Sequence, residues 1–584
     1  MRIVAGSAGA LGAPSLLHCS SNDAPSSDTL FPQGVASADP TPDAIVLWTR
    51  VAPRDPRTPR RVTVELSEAS STAPALVRAE LLAEPEDDHT VRVRIEGLRP
   101  DTLYRFHFES EGVRSPEGRA RTAPAPDADV PVRFVVACCQ DRVGRHYHAW
   151  RWLAARLAEA GDVPIRFVLF LGDYVYEYES GSDAAKQPPP PGEAPPLPDG
   201  LVVAQSDAGP VRAAYTLRDY RVLYRHVRSD PALREVHRLL PFVAVWDDHE
   251  FANDCWQQHA NDFDGARGDE LEPRRRRAAT RAFHEYLPVD APWHPERSFP
   301  ETLRLYRRLR FGRHVELSVT DQRLYRSDHV VDEGPPLPEV GKLARNSALG
   351  ARVFVRKDGF DPLEAERNPT MLGVEQLQWL QESVRASEAS WRIVGSPLVM
   401  AQMTLDLTGF ASLPEPLRHR FYFKTDQWDG YRSERARLLA ALRAAGPTMV
   451  LSGDLHGFYA AELHEDFDAP SPVPAAMELT TAGISSAPVV EQLQRVVESQ
   501  PLLQRLGLAE LIPRFDEVLK ASNPHVRYAH SATHGLSIVT VWGPEEVHIE
   551  FVQFDEVRAP DPQEPSRRIA FRIRSDPLRL EATS

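Results

Sequence analysis

The sequence predicts an α/β protein with a small all-β domain on its N-terminal side. Short segments of alternating apolar and polar residues, divided by Pro, Asp and Gly, fill the stretch from Leu30 to Thr122, as half-buried strands require. Beyond it, continuous β-branched runs alternate with segments of helical period, the pattern of a buried sheet covered by helices. Four of those runs end on cysteine, acidic, tyrosine or histidine residues, where an open α/β sheet presents ligands and catalysts. At 584 residues the chain exceeds what one core usually supports, so two domains are expected.

Within residues 28–124, the segments Val62 to Leu66, Val91 to Ile95 and Leu103 to Phe108 read as strands of a β-sandwich of immunoglobulin or fibronectin type III kind. Gly97 to Phe106 looks like its corner, which makes Tyr104 a structural residue tied to upstream backbone. Ala123-Pro124-Ala125-Pro126-Asp127 is a stiff linker into a second domain, 130–562. There, strands are predicted at Val132 to Ala137, Ile165 to Leu171, Phe242 to Trp246, Val315 to Thr320, Trp391 to Gly395 and Thr448 to Ser452. Helices are predicted near His148 to Ala160, with Trp150, Leu153 and Leu157 on one face, and at Val374 to Ala386 and Ser433 to Ala445. The Pro-rich segment 187–209 is expected to stay out of any sheet, as a lid beside the site or a tolerated surface insertion. Arg274 to Arg277 read as a solvated helix face, and 563–584 as a C-terminal tail.

Composition, at 42% hydrophobic and 26% charged residues, is that of a soluble globular protein, and no apolar run is long enough to span a bilayer. A net charge of −15 argues against specific nucleic-acid binding, and an anionic substrate needs cations at its site. Four cysteines, Cys19, Cys138, Cys139 and Cys255, are too few for a disulfide scaffold. Metal ligation or simple burial suits them better. Residues 1–27 read as the remnant of an export signal or as a disordered tail: Arg2 to Leu17 is apolar but interrupted by Gly9, Gly12 and Pro14, and it lacks twin arginines. Export to the periplasm or outside is expected, with a cytoplasmic location as the alternative. The sequence sets no oligomeric state.

The four strand ends carry Cys138-Cys139-Gln140, Gly172-Asp173-Tyr174-Val175-Tyr176, Asp247-Asp248-His249-Glu250 and Gly453-Asp454-Leu455-His456. Singly, each residue has a plainer role: Asp173 as a turn or helix cap, Tyr176 as core, Cys139 as a small buried hydrophobe. Three such motifs in order at strand ends favour one metal site. A phenolate from Tyr176 and a thiolate from Cys139 are both anionic and suit trivalent iron, whereas Asp454 and Asn253 suit calcium, magnesium or manganese, with Asp173 between the two ions. His249 is placed as an acid, its ring oriented by Asp248 or Glu250. Arg323 and Arg326 either flank a phosphate or form surface ion pairs.

On these motifs the chain resembles the alkaline phosphatase D (PhoD-like) family of the calcineurin-like metallophosphoesterases. The resemblance extends through Phe31 to Pro40, Val46 to Arg50, Asp321 to Arg326, Trp428 to Tyr431 and Ile484 to Ser486. It implies a four-layer α/β/β/α sandwich and a phosphoester hydrolase with Fe3+ and one or two Ca2+, in which a metal-activated hydroxide attacks a phosphomonoester or phosphodiester. It implies Cys139, Asp173, Tyr176 and His456 on the iron side, Asp173, Asn253 and Asp454 on the calcium side, and His249 as the catalytic histidine. Asp248 stands where the wider superfamily has the Asn of an Asn-His pair, so Asp248 and Asn253 are both candidates for the middle ligand. Cys138 and Asp254 depart from the family's usual Ser and Asn. The substrate is expected to be a small phosphoester, with a phospholipase D-like diesterase acting on phospholipid as the alternative and a non-catalytic extracellular binding protein as a third reading.

Overall fold

The computed structural model describes residues 1–5, 26–157, 163–181, 194–206, 209–260, 270–331, 352–413, 415–499, 504 and 508–583. Two large sheets face each other. In the first, the strands Val132–Ala137, Ile165–Leu171 and Phe242–Val245 run parallel. The helix His148–Leu157 and the helices Leu217–Arg228 and Pro231–Leu239 serve as their crossovers. In the second, Val315–Val319, Trp391–Ser396, Thr448–Ser452 and Ala476–Thr480 are parallel, with the helices Gly373–Ala386 and Arg432–Ala445 outside. Gly395 shows how closely the sheets approach: a Cβ there would lie 3.4 Å from Leu171 and 3.6 Å from Leu169. Helix, sheet, sheet and helix thus form the four expected layers around one core that joins Leu169 and Leu171 to Ile393 and Leu451.

The strands expected from apolar runs lie where the pattern placed them, because a strand buried on both faces must be apolar throughout. Of the predicted helical face, Trp150 and Leu153 are buried. The tyrosine corner is also present: Tyr104 is buried and its hydroxyl accepts the Arg99 N–H at 2.8 Å.

The sandwich is less separate than expected. Its strands Val35–Ala38, Ala44–Arg50 and Thr90–Glu96 continue the catalytic sheet through the pairing of Ala38 with Phe242. The second layer of the sandwich is the sheet built on Arg60–Glu68 and Leu103–Ser110. Arg2–Val4, in the stretch expected as signal or tail, pairs with Thr90–Glu96. Cys19 and the rest of 6–25 lie outside the described residues.

At the other edge, His534–Val541, Glu546–Phe554, Arg567–Ser575 and Leu578–Thr583 add antiparallel strands, so the stretch expected as a tail closes the sheet. The Pro-rich segment is also corrected in part. Leu201–Ser206 pairs with Gly209–Ala213 in a hairpin, whereas Pro188 to Pro191 lie outside the described residues. Nor is the basic run on Pro273–Tyr286 wholly solvated: Arg275 and Arg276 are buried, and the Arg276 guanidinium lies 4.9 Å from the ring centres of both Trp246 and Phe251.

Candidate metal centre

Every strand end that the sequence marks converges at the carboxyl edge of the two sheets. Cys139, Asp173, Asp454 and His456 all sit at positive φ, 54°, 56°, 56° and 47°. That left-handed backbone is unusual for non-glycine residues and is found where a site requires it. Gly172, at φ 93°, brings the Asp173 turn against the Asp247 turn; a Cβ on it would lie 2.4 Å from that of Asp247. Glu250 fastens the two turns, its carboxylate accepting the N–H groups of Asp173 (3.1 Å), Tyr174 (2.7 Å) and Asp247 (2.8 Å).

Three ligand groups result, each with donor atoms within 4.8 Å of one another: Cys139, Asp173 and His456; Asp173, Asp248 and His249; Asp247, Asp248 and Asp454. Asp173 joins the first to the second, and Asp248 the second to the third. Tyr176 belongs to the first group, its hydroxyl 3.1 Å from Asp173 Oδ2 and 3.3 Å from His456 Nε2. His456 Nδ1 lies 2.8 Å from the Ala487 carbonyl, which fixes the proton there and leaves Nε2 with its lone pair. Burial pushes its pKa down to about 4, so the imidazole is neutral, as a metal ligand must be.

Burial, with Cys138, Asp173 and Asp454 adding to it, raises the Cys139 thiol well above its ordinary value. Burial likewise raises the Tyr176 phenol, with Asp173 and Cys139 beside it. A bound cation would oppose both shifts. Burial, and then Asp248, Asp247 and Glu250, push the Asp173 carboxyl well above its ordinary value despite His249. Its Oδ1, with Asp247 Oδ2 and Asp248 Oδ1, is buried without a hydrogen bond. Carboxylate oxygens sealed from water and unbonded are what a bound cation satisfies. The donor set therefore fits metal ions.

The structure brings the expected ligands to one edge and adds supports, Glu177 first among them, to which the sequence reading gave no role. His249 Nδ1 is 2.6 Å from Glu177 Oε2, so Glu177, not Asp248 or Glu250, orients the ring. The other Glu177 oxygen accepts the Asn253 N–H at 2.6 Å. Burial works against the His249 charge, yet Glu177, Asp248 and Asp173 outweigh it and raise its pKa well above the ordinary value. Asp248 accepts the Asp254 N–H at 2.6 Å, and burial is outweighed by Arg323, His249 and Lys424, which keep it ionised. Asn253 is half-buried, its Nδ2 without a hydrogen bond.

Arg323 and Arg326 form no surface pair. Both are fully buried: Arg323 binds Asp247 at 2.6 Å and Asp426 at 3.0 Å, and Arg326 binds Asp426 at 3.0 Å and the Tyr431 hydroxyl at 2.8 Å. Behind Asp454 stand Gln427, hydrogen-bonded to Oδ2, and the Lys424 ammonium at 3.3 Å. Ser486 Oγ, 2.6 Å from the Tyr176 hydroxyl and 2.8 Å from the Cys139 carbonyl, ties both of these residues to the Ile484–Ser486 loop. Of these supports Arg323, Arg326, Tyr431 and Ser486 fall inside stretches that the motifs had marked, and Glu177 directly follows the Asp173–Tyr176 motif, whereas Lys424, Asp426 and Gln427 lie outside them.

Comparison with known proteins places the chain in a family. The sequence profile of the PhoD-like phosphatase family matches residues 134–551, and that of its N-terminal domain matches 18–124. The chain is 30% identical over 469 residues to alkaline phosphatase D of Bacillus subtilis (strain 168), covering 78% of this chain and 69% of that one. A solved structure of PhoD superposes with a TM-score of 0.71 at 24% identity, covering 97% of this chain and 94% of that chain. A purple acid phosphatase from yellow lupin (Lupinus luteus) seeds aligns at 10% identity over 92% of this chain and 74% of its own, with a TM-score of 0.49. With its clustered ligands and this likeness over nearly its whole length, the chain belongs to the PhoD-like phosphatase family and is a metal-dependent phosphoester hydrolase.

Proposed function

We propose that Cys139, Asp173, Tyr176 and His456 hold ferric iron and that Asp173, Asp248, Asn253 and Asp454 hold calcium, with magnesium or manganese as the alternative second ion. The convergence of a thiol, a phenol, a carboxylate and a neutral imidazole around Asp173 supports this reading most directly. Eight carboxyl groups, Asp173, Glu177, Asp247, Asp248, Glu250, Asp254, Asp426 and Asp454, share the site with four cationic side chains, His249, Arg323, Arg326 and Lys424. Fully ionised, the carboxyl groups would outnumber these cations, an imbalance that bound metal ions would offset. When bound, they supply Lewis acidity for hydrolysis.

The protein's own part is positional. Glu177 engages Nδ1 of His249, which leaves Nε2 free of that bond, and the His249 side chain is 13% exposed where Glu177 is sealed. As an imidazolium it donates its Nε2 proton to the leaving oxygen and holds the phosphoryl group by charge. Arg323, Arg326 and Asp426 lie behind the ligands and fix the Asp247–Asp248 turn instead of reaching substrate.

The substrate is a small phosphoester, and the choice between monoester and diester, phospholipid included, is read from relative rates on nitrophenyl phosphate, bis-nitrophenyl phosphate and a phosphatidylcholine. The metal assignment is tested by element analysis and absorption spectroscopy of the purified protein. Iron should be present with a visible tyrosinate charge-transfer band that Tyr176→Phe bleaches. An active, metal-replete enzyme without that band removes Tyr176 from the coordination shell.

A further inference from the structure

A cavity of about 800 Å3 opens at the amino edge of the parallel strands, between the sandwich and the catalytic sheet. It is floored by Arg133, Ile165 and Arg166 at the starts of Val132–Ala137 and Ile165–Leu171, and by Pro241 just before Phe242–Val245. The metal centre lies at the carboxyl end of the same strands, roughly 20 Å away at 3.3 Å per residue. These are two separate places on one sheet.

Six arginines line the cavity, Arg119, Arg121, Arg133, Arg156, Arg166 and Arg568, and among the described residues no Asp or Glu does. In a chain of net charge −15 this is a local reversal of sign. Several are matched from outside: Asp101 lies 2.6 Å from Arg121 and 2.5 Å from Arg166, Glu564 lies 4.0 Å from Arg156, and Glu550 binds Arg568. Arg133 is different. It is half-buried on the sheet, its Nε is sealed from solvent without a hydrogen bond, and among the described residues no carboxylate pairs with it. Trp152, 7% exposed on the same wall, also has a buried Nε1–H that makes no hydrogen bond, and the Arg156 guanidinium lies 5.7 Å from its ring centre. Two buried donors without acceptors, amid six guanidinium groups, are complementary to an anion rich in acceptor oxygens.

We propose that this cavity binds a phosphate-bearing small anion, apart from the catalytic centre. Guanidinium forks match phosphoryl oxygens in pairs, and Leu153, Leu240 and Ile538 offer an apolar wall for an organic portion. A neighbouring cavity of about 330 Å3 shares Arg133 and Ile538 and extends the groove past Glu550, the partner of Arg568, to Trp542, which is 44% exposed. The ligand is either free phosphate or a phosphorylated organic molecule, and this assignment does not rest on which metals the catalytic centre holds.

Calorimetric titration of the full, metal-loaded chain with inorganic phosphate and, separately, with a non-hydrolysable nucleoside triphosphate analogue tests it. One binding event should weaken tenfold or more in Arg133→Ser and in the double variant Arg119→Ser/Arg156→Ser, with kcat/KM on nitrophenyl phosphate unchanged. The double variant alters two side chains on the solvent side, so it decides the matter if Arg133→Ser does not fold. Loss of phosphate binding assigns the free ion, and loss of analogue binding alone assigns the organic ligand. Titrations that match wild type in the double variant for both probes, or a wild type without any event beyond the catalytic centre, overturn the proposal.

Discussion

Glu177 is the side chain that holds the proposed acid, His249. Its carboxylate, completely buried and 2.6 Å from His249 Nδ1, sets both the ring's orientation and its charge. Glu177→Gln keeps the hydrogen bond but removes the negative charge, so it should lower kcat by about 10- to 100-fold, the usual loss for such a supporting contact. The sign of the pH effect follows from the His249 pKa, which the carboxylates raise. The wild-type imidazolium persists above the ordinary histidine range, and the limb of the rate profile that reports its deprotonation should move to lower pH in the variant. A profile with an unmoved alkaline limb would show that His249 is not the acid. His249→Ala, by contrast, should retain the metals and lose turnover by about 10²- to 10⁴-fold on nitrophenyl phosphate. At this scale the ligands are legible because each directly follows an apolar run. Glu177 is not, since its direction is set by the Asp173 turn and by Asn253, whose N–H holds its second oxygen.

Among the elements, the two neighbouring strands Ile165–Leu171 and Phe242–Val245 matter most, because their pairing through Leu171 and Val245 brings the next turns together. Gly172 makes the approach possible. Gly172→Ala meets two penalties: the left-handed backbone, about 1–2 kcal/mol for a residue with a Cβ, and overpacking against Asp247, about 1–3 kcal/mol. The variant should unfold at lower denaturant and purify with less metal. Gly112→Ala is the control, since at φ 76° with nothing within 4 Å of the added Cβ it meets only the first penalty. Equal losses in both variants would mean that the Gly172–Asp247 contact contributes nothing. Parallel strands of this kind are easily read from sequence. The closing strand Arg567–Ser575 is not: as an antiparallel strand with one exposed face it alternates Arg with Ile and Phe, and the Pro-rich stretch before it resembles the start of a tail. Arg275 and Arg276 look solvated in the sequence because their aromatic partners, Phe251 and Trp246, lie more than twenty residues upstream, just past the end of Phe242–Val245.

At the scale of the whole molecule, the sandwich shares a sheet with the enzyme. Asp39 receives the Asp290 N–H at 2.6 Å and pairs with Arg307 at 2.7 Å, while its own N–H reaches the Phe242 carbonyl at 3.1 Å. The buried Trp48 donates from Nε1 to the Glu285 carbonyl at 2.7 Å and lies 4.0 Å beneath the Arg228 guanidinium, so one sandwich side chain contacts two helices of the catalytic layer. Linked this way, neither part exposes its half of the seam without stranding buried polar groups of the other, which couples their unfolding. Denaturant titration followed by near-ultraviolet circular dichroism and by residual phosphatase activity should give coincident midpoints. Trp48→Ala, which removes about 3–5 kcal/mol of packing from a core aromatic, should move both midpoints together even though Trp48 lies in the sandwich. If activity outlasts the sandwich signal, the seam is a contact between independent folding units. If the two curves shift as one, the metal centre draws part of its rigidity from a domain that touches none of its ligands.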